Sequence, residues 1–135
     1  SLRLAIKESK IQITDTIPDD LIVIAIPAYL DSILLNLFTN AIKYKSPRRN
    51  ATLTIGFEII ENYIVINFRD NGLGLNLEKN GHKLFGMYKT FHGNEDAKGI
   101  GLFITKNQLE AMDGKIEVES EEGQGSNFKI YLNEK

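Results

Sequence analysis

The segment Asp70-Asn71-Gly72-Leu73-Gly74 closes a run of residues at 63–68 whose alternating apolar and polar side chains predict a β-strand. A second glycine-rich segment, Lys98-Gly99-Ile100-Gly101-Leu102, opens a predicted helix that extends to about Met112. Glycine has no Cβ and tolerates positive φ, so both segments allow a ligand to approach the backbone closely. The start of a helix also presents free N–H groups and the positive end of its dipole, which favour phosphate. Together the two segments predict a nucleotide pocket.

The composition is that of one globular domain, because 42% of the 135 residues are hydrophobic and 25% are charged. A formal net charge of −2 argues against a nucleic-acid partner, which requires a basic face. The absence of cysteine excludes disulfides and thiolate metal sites, and it permits a reducing compartment such as the cytoplasm. The longest apolar run, at 21–26, is far shorter than the roughly 20 residues of a membrane span, so no direct membrane contact is expected.

The rest of the chain alternates between strand and helix patterns. Residues 1–26 fit two strands, or a short helix followed by two strands, with a turn at 17–20. The later predicted elements are a helix at 27–44, strands at 51–60 and 63–68, a long loop at 70–98, a helix at 100–112, and strands at 115–120 and 127–132. The pair Asp113-Gly114 is expected to end the second of these helices as a C-cap. A loop as long as 70–98 is uncommon in a compact domain and is usually functional.

Four polar side chains, Asn36, Asn40, Lys43 and Tyr44, recur at helical spacing along one edge of the helix at 27–44. An asparagine carbonyl is a hard, neutral oxygen ligand that Mg²⁺ accepts beside water and phosphate oxygens. Lys43 could meet a phosphate as a point charge. An ordinary exposed helix edge would explain the same residues without any ligand.

Asp70 stands at the end of a strand and is followed at once by glycines. Its carboxylate could accept a hydrogen bond from the exocyclic amine of adenine, which guanine replaces by a carbonyl. A simple Asp-Asn-Gly turn explains the same residues equally well. The Gly99-x-Gly101 pair is a weak signal, since it forms neither a Walker loop nor a dinucleotide fingerprint. His82 and His92 lack the clustering that zinc requires.

The order of these segments is more specific than any one of them. Asn-x-x-x-Asn-Ala-Ile-Lys-Tyr, Asp-x-Gly-x-Gly, a Phe-rich loop, Gly-x-Gly-Leu and Gly-x-Gly-Ser-x-Phe follow one another across roughly residues 10–132. This series closely resembles the catalytic and ATP-binding domain of sensor histidine kinases, within the wider family shared with gyrase, Hsp90 and MutL. The resemblance implies an α/β fold, an α+β two-layer sandwich of the Bergerat type. Its mixed, mostly antiparallel sheet would have about five strands, with about three helices on one face.

The resemblance also implies roles for individual residues, with ATP and Mg²⁺ as cofactors. Asn40 would be the Mg²⁺ ligand, and Asn36, Asn40 and Lys43 would form the catalytic set. Asp70 would bind the adenine amine, and Ser126 would join the hydrogen-bond network of Asp70. Lys89 or Lys98 would replace the arginine that many relatives carry in the lid. The expected nucleotide-binding residues are Asn36, Asn40, Lys43, Tyr44, Asp70, Gly72, Gly74, Tyr88, Lys89, Phe91, Lys98, Gly99, Ile100, Gly101, Leu102 and Ser126.

The activity implied by the resemblance is transfer of the γ-phosphate of ATP to a histidine of a separate helical dimerisation domain, with a response regulator downstream. Related ATPases carry a glutamate four residues before the metal asparagine. This chain has Asn36 there, so slow hydrolysis is expected.

The chain begins without Met and contains no His-Glu/Asp acceptor motif. We therefore expect residues 1–135 to be a single catalytic domain of a longer protein, cytoplasmic, monomeric, and unable to phosphorylate itself. Two alternatives stay open: a nucleotide-binding pseudokinase or sensor module, and an anti-sigma-type protein-serine kinase on the same fold.

Overall fold

The computed structural model describes residues 1–81, 84–85 and 98–134. Its helices are α1 (Leu2–Ser9), α2 (Pro27–Lys43), α3 (Leu77–Asn80) and α4 (Lys98–Ala111). Its strands are β1 (Gln12–Asp15), β2 (Thr52–Ile60), β3 (Tyr63–Asp70), β4 (Lys115–Glu121) and β5 (Gly125–Asn133). The two predicted hairpins and the helix at 27–44 are confirmed to within two residues at nearly every boundary.

The strands form one five-stranded sheet in the order β1-β2-β3-β5-β4. β1 runs parallel to β2, and every other neighbouring pair is antiparallel. This arrangement confirms the predicted mixed, mostly antiparallel sheet. The register pairs Asp70 at the end of β3 with Ser126 at the start of β5, so two of the predicted site residues are cross-strand neighbours.

The hydrophobic core lies between one face of the sheet and the helices. Alternate residues of the central strands point into it, including Ile64, Ile66 and Phe68 of β3. The apolar side of α2 packs against them as its spacing predicts. Ile33, Leu37 and Ala41 are buried, while Leu30, Leu34 and Phe38 are partly buried against the same cluster.

The apolar run at 21–26 is not a strand, which corrects the prediction of a second strand before α2. Among the residues that the structure describes, its only ladder contact is the antiparallel bridge between Ile24 and Asn133. Leu21 and Val23 pack against the core, whereas Ile22 is 74% exposed. The alternation therefore reflects burial on one side of an extended segment, and no neighbouring strand runs alongside it to form a ladder. The chain before β1 takes the helical alternative, as α1.

The bounds of α4 lie within two residues of those predicted. The helix begins at Lys98, so the glycine-rich segment forms its first turn. It ends at the predicted Asp113-Gly114 pair, in which Asp113 adopts a positive φ of 59°. Gly114 is needed for space, because a Cβ there would lie 2.1 Å from the carbonyl oxygen of Tyr131 on β5.

The outer face of the sheet carries a tyrosine–glutamate pair with perturbed titration. The Tyr131 hydroxyl donates a hydrogen bond to Glu117 Oε1 at 2.5 Å, and the Tyr131 ring is only 7% exposed. The bond to Glu117, followed by burial, raises the pKa of Tyr131 to about 12. The same bond lowers the pKa of Glu117 below its ordinary value of 4.5.

This pair predicts a loss of stability in alkali. The folded pKa of Tyr131 lies above its unfolded value of 10.0, so the folded state holds the proton more tightly and the stabilisation is complete below pH 10. It then declines as the pH rises towards 12. We expect Tyr131→Phe to lower the melting temperature at pH 8, and this difference from wild type should shrink by pH 11.5. A difference that stays constant with pH would contradict the assignment, and Tyr29→Phe on α2 is the matched control.

Candidate nucleotide-binding site

The last turn of α2 contacts the turn that follows β3. The Tyr44 amide donates to the Asn40 carbonyl at 3.0 Å, and the Tyr44 carbonyl accepts from the amide of Leu73 at 2.9 Å. Gly72 sits so close that a Cβ there would lie 2.5 Å from the Tyr44 carbonyl oxygen. The structure thus brings the asparagine-bearing helix and the Asp-x-Gly-x-Gly turn into direct contact.

Asp70 anchors this turn through its carboxylate. Oδ1 accepts hydrogen bonds from the amides of Gly72 at 2.9 Å and Ser126 at 3.2 Å. Ser126 therefore belongs to the Asp70 network, as expected, although it does so through its backbone. Its hydroxyl lies 2.7 Å from the hydroxyl of Ser120, which also donates to the Gly125 carbonyl. The position and orientation of the Asp70 carboxylate are thus fixed by two separate segments.

The described glycines of the site bring protein backbones together, which is a reason for glycine at these positions in addition to the predicted approach of a ligand. Gly74 has a φ of +71°, and a Cβ there would lie 2.1 Å from the Glu121 carbonyl oxygen. Gly125 has a φ of +129°, and its Cβ would lie 2.2 Å from the Asp70 carbonyl oxygen. A side chain at either position would push the β4–β5 turn away from Asp70. These glycines therefore allow the β4–β5 turn to pack closely against the segment that contains Asp70.

Asn36 and Asn40 have different surroundings although they lie one helical turn apart. Asn36 Nδ2 donates to Thr105 Oγ1 at 3.1 Å, and Thr105 is wholly buried on α4. This bond ties α2 to the helix whose first turn is the glycine-rich segment. Asn40 Nδ2, in contrast, is buried and has no hydrogen-bond partner among the described residues. A buried polar group without a partner costs about 1–3 kcal/mol, so this donor of Asn40 is an unsatisfied group of the site.

The fit of Mg²⁺ can be judged from these donors. Within the described part of the chain, no group of three or more His, Cys, Asp or Glu side chains could hold a metal ion. An ion at Asn40 would take a single neutral oxygen from the protein and its remaining ligands from phosphate and water. Mg²⁺ accepts such a set, because it retains several waters in nucleotide sites. The residues present therefore fit the ion.

The remaining predicted site residues lie on α2, at the start of α4 or outside the described residues. Lys43 is exposed on α2. Leu102 is wholly buried in the core, which gives its side chain a packing role. Lys98, Gly99, Ile100 and Gly101 lie in the first turn of α4. Predictions for Tyr88, Lys89 and Phe91, like the remarks on His82 and His92, fall outside the described residues.

A separate cleft lies near Asp70, on the opposite face of the sheet from the predicted nucleotide pocket. A cleft of about 500 Å³ borders Asp70 and Ser126 but is also lined by Thr54, Arg69 and Asn127. The last three alternate along their strands with core-facing residues, so the cleft opens on the outer face of the sheet. Asn40 and Tyr44 lie on the helix-covered face, where the predicted pocket belongs.

The sequence interpretation missed two residues that hold the site together. The Asn71 carboxamide accepts from the amide of Thr52 and donates to the Asn50 carbonyl, both at 2.8 Å. Arg49 donates to the Asn71 carbonyl at 2.9 Å and to the Gly123 carbonyl at 2.7 Å. No sequence signal separates Arg49 from the adjacent Arg48. Only the fold brings the segment after α2 together with the turn after β3 and the β4–β5 turn.

With this geometry established, comparison with known families decides the assignment. Residues 25–135 match the family described as histidine kinase-, DNA gyrase B- and HSP90-like ATPase. The chain belongs to this family. The match includes α2, the Asp70 turn, α4 and the β4–β5 hairpin, so it covers every motif described above. The resemblance inferred from the motifs is confirmed.

The relatives that this chain resembles include a histidine kinase, a phytochrome and a sensor protein. The chain is 33% identical to the methanogenesis regulatory histidine kinase FilI of Methanothrix harundinacea over 93 residues, covering 69% of this chain and 10% of FilI. It is 33% identical to cyanobacterial phytochrome A of Nostoc over 135 residues, covering 98% of this chain and 17% of that protein. For sensor protein RprX of Bacteroides fragilis the identity is 32%, with 82% and 22% covered. The chain thus spans less than a quarter of each of these relatives.

Solved structures share the fold of this ATPase-family domain. The catalytic domain of histidine kinase ThkA superposes with a TM-score of 0.78 at 24% identity, covering 98% of this chain and 90% of that one. The mycobacterial sensor histidine kinase MprB gives 0.79 at 21% identity, with 97% and 87% covered. The predicted two-layer α/β fold is therefore confirmed. Over the described residues, none of the helices combines the length and apolar character that a membrane crossing requires.

Proposed function

We propose that this domain binds Mg-ATP and donates the γ-phosphate to a histidine on a separate helical domain of the same protein. The observation that carries the proposal is the Nδ2 atom of Asn40, which is buried and has no hydrogen-bond partner among the described residues. It lies one turn from Tyr44, whose carbonyl contacts the turn anchored by Asp70. A site that leaves a buried donor unsatisfied, on a helix whose end contacts the turn of an anchored carboxylate, is suited to a polar ligand that supplies the missing partner.

Each side chain then has a role that its position permits. The Asp70 carboxylate accepts the hydrogen bond from the adenine amine while the amides of Gly72 and Ser126 fix its orientation. The Asn40 carbonyl provides a ligand for Mg²⁺, which when bound neutralises charge on the phosphates. Lys43, exposed about one turn beyond Asn40, adds a cation at the phosphate end. Lys98 to Gly101 place a helix start nearby, where free N–H groups favour phosphate.

Transfer to a protein is favoured over hydrolysis by the chemistry of Asn36. A carboxamide cannot take a proton from water, and the Asn36 amide already donates to Thr105 on α4. Phosphoryl transfer needs mainly positioning and neutralisation of charge, which the residues above can supply. The histidine acceptor would come from the helical dimerisation domain, and a response regulator would receive the phosphate next. We place the domain in the cytoplasm, as a monomeric part of a longer sensor protein.

The test is phosphoryl transfer in a reconstituted mixture. Radiolabelled ATP is added to this chain alone, to this chain with the helical acceptor domain of the same protein, and to a matched acceptor with its histidine replaced by glutamine. We expect label only on the histidine-containing acceptor, in an acid-labile and alkali-stable form. Acid-stable label on serine would favour the serine-kinase alternative. An acceptor that stays unlabelled while ATP binds would contradict transfer and leave a nucleotide-binding module.

A further inference from the structure

Three separate segments meet around Asp70, and one arginine is bonded to two of them. Arg49 lies in the segment that follows α2. Its Nη1 donates to the Asn71 carbonyl at 2.9 Å and the Gln124 carbonyl at 3.4 Å. Its Nη2 donates to the Gly123 carbonyl at 2.7 Å. A single guanidinium thus joins the turn after β3 to the β4–β5 turn, and both of these turns also bind Asp70.

The two turns that Arg49 joins are the ones that hold the Asp70 carboxylate. Asn71 follows Asp70 directly, and the next residue, Gly72, donates its amide to Oδ1. Gln124 precedes Ser126 by two residues, and the Ser126 amide donates to the same Oδ1. A change in the separation of the turns would therefore move or release Oδ1. Arg49 therefore holds the two segments at the distance that lets Oδ1 of Asp70 accept hydrogen bonds from both.

We propose that Arg49 is a positioning residue for base recognition: by bridging these turns, it fixes the Asp70 carboxylate where it meets the 6-amino group of adenine. The inference rests on the proposed function, in which Asp70 contacts adenine. All described hydrogen bonds of the Arg49 side chain go to protein carbonyls, so it acts through Asp70 and does not touch the nucleotide. Its loss should therefore weaken recognition of the amine more than binding of the rest of the nucleotide.

The chain supplies a matched control at the neighbouring position. Arg48 has the same charge and is exposed, and its described hydrogen bond is made by its backbone amide to Ser46 Oγ at 3.2 Å. Arg49→Lys is a second test variant. It keeps the positive charge but lacks the planar guanidinium with its several N–H donors. An ammonium group on a flexible stem cannot span carbonyls of both turns as a guanidinium does.

The experiment is calorimetric titration of the wild-type chain, Arg49→Ala, Arg49→Lys and Arg48→Ala. Each is titrated with Mg-ATP and with the triphosphate of purine riboside, which lacks the 6-amino group. Thermal unfolding of each variant shows that it is folded. We expect both Arg49 variants to lose about fivefold to tenfold in affinity for ATP, the range expected when a single hydrogen bond to the ligand is weakened. Their affinity for the purine analogue should change less than twofold, and Arg48→Ala should match wild type with both ligands.

Three outcomes would overturn the inference and can be told apart. If wild type binds neither nucleotide, the proposed function and this inference both fail. If wild type binds ATP and the Arg49 variants behave like Arg48→Ala, only the positioning role fails. If the Arg49 variants lose the same factor with both nucleotides, Arg49 stabilises the fold in general and does not orient Asp70. Should Arg49→Ala be unfolded, Arg49→Lys alone carries the comparison.

Discussion

Asp70→Asn should weaken ATP binding by about 100-fold or more, because the substitution removes the acceptor for the adenine amine. Asparagine keeps one oxygen, so it can still accept from the amides of Gly72 and Ser126 as Oδ1 does now. The turn should therefore stay folded. The other carboxylate oxygen is replaced by an NH₂ group. Both this group and the adenine amine are hydrogen-bond donors, so they cannot bond to each other. Calorimetric titration with Mg-ATP gives the affinity, and thermal unfolding shows whether the structure is intact.

The matched control for this change is Asp15→Asn at the end of β1. Asp15 Oδ1 also accepts a backbone hydrogen bond, from the amide of Ile17 at 2.9 Å, but it lies on the edge strand of the sheet. ATP affinity should be unchanged in that variant. An Asp70→Asn protein that is folded and binds ATP like wild type would show that the carboxylate does not read the base.

Asn40→Ala should lower ATP affinity while it raises stability. Loss of the carboxamide removes the proposed Mg²⁺ ligand, so affinity should fall about 10- to 100-fold and should no longer increase when Mg²⁺ is added. The unpartnered Nδ2 is removed at the same time, and alanine is a better helix former than asparagine. Relief of a penalty of about 1–3 kcal/mol should raise the melting temperature by about 3–8 °C.

Asn107→Ala on α4 separates the two effects. Asn107 is exposed on its helix, so the substitution tests helix propensity without touching a buried amide or the site. It should raise the melting temperature slightly and leave ATP affinity unchanged. If Asn40→Ala lowers stability and leaves the Mg²⁺ dependence of binding intact, the carboxamide is a structural group and another residue holds the ion.

Sequence alone predicted the parts of the fold whose pattern is local. The apolar side of α2 and the two hairpins follow directly from residue periodicity, and Asp70 ends its strand as expected. The run at 21–26 misled because a continuous apolar run indicates burial, and an extended segment with a single bridge can also be partly buried. Whether such a segment pairs depends on a distant strand that its own residues do not encode.

The order of motifs named Asn40 and Asp70 as candidate site residues, and it correctly placed Ser126 beside Asp70. It did not predict how the surrounding segments are held together. It could not show that Gly74 and Gly125 make room for protein backbone. The carbonyl groups that they approach, those of Glu121 and Asp70, belong to residues about 50 positions away in sequence. Arg49 was missed for the same reason, because its three carbonyl partners are 22 to 75 residues away.

The most direct test of the account is calorimetric titration of the wild-type chain with ATP and with GTP, each with and without Mg²⁺. The account predicts that ATP binds, that Mg²⁺ strengthens its binding, and that GTP binds far more weakly because it presents a carbonyl to Asp70. Equal binding of the two nucleotides would contradict the role of Asp70 in selecting adenine. Binding of neither would contradict the nucleotide site itself.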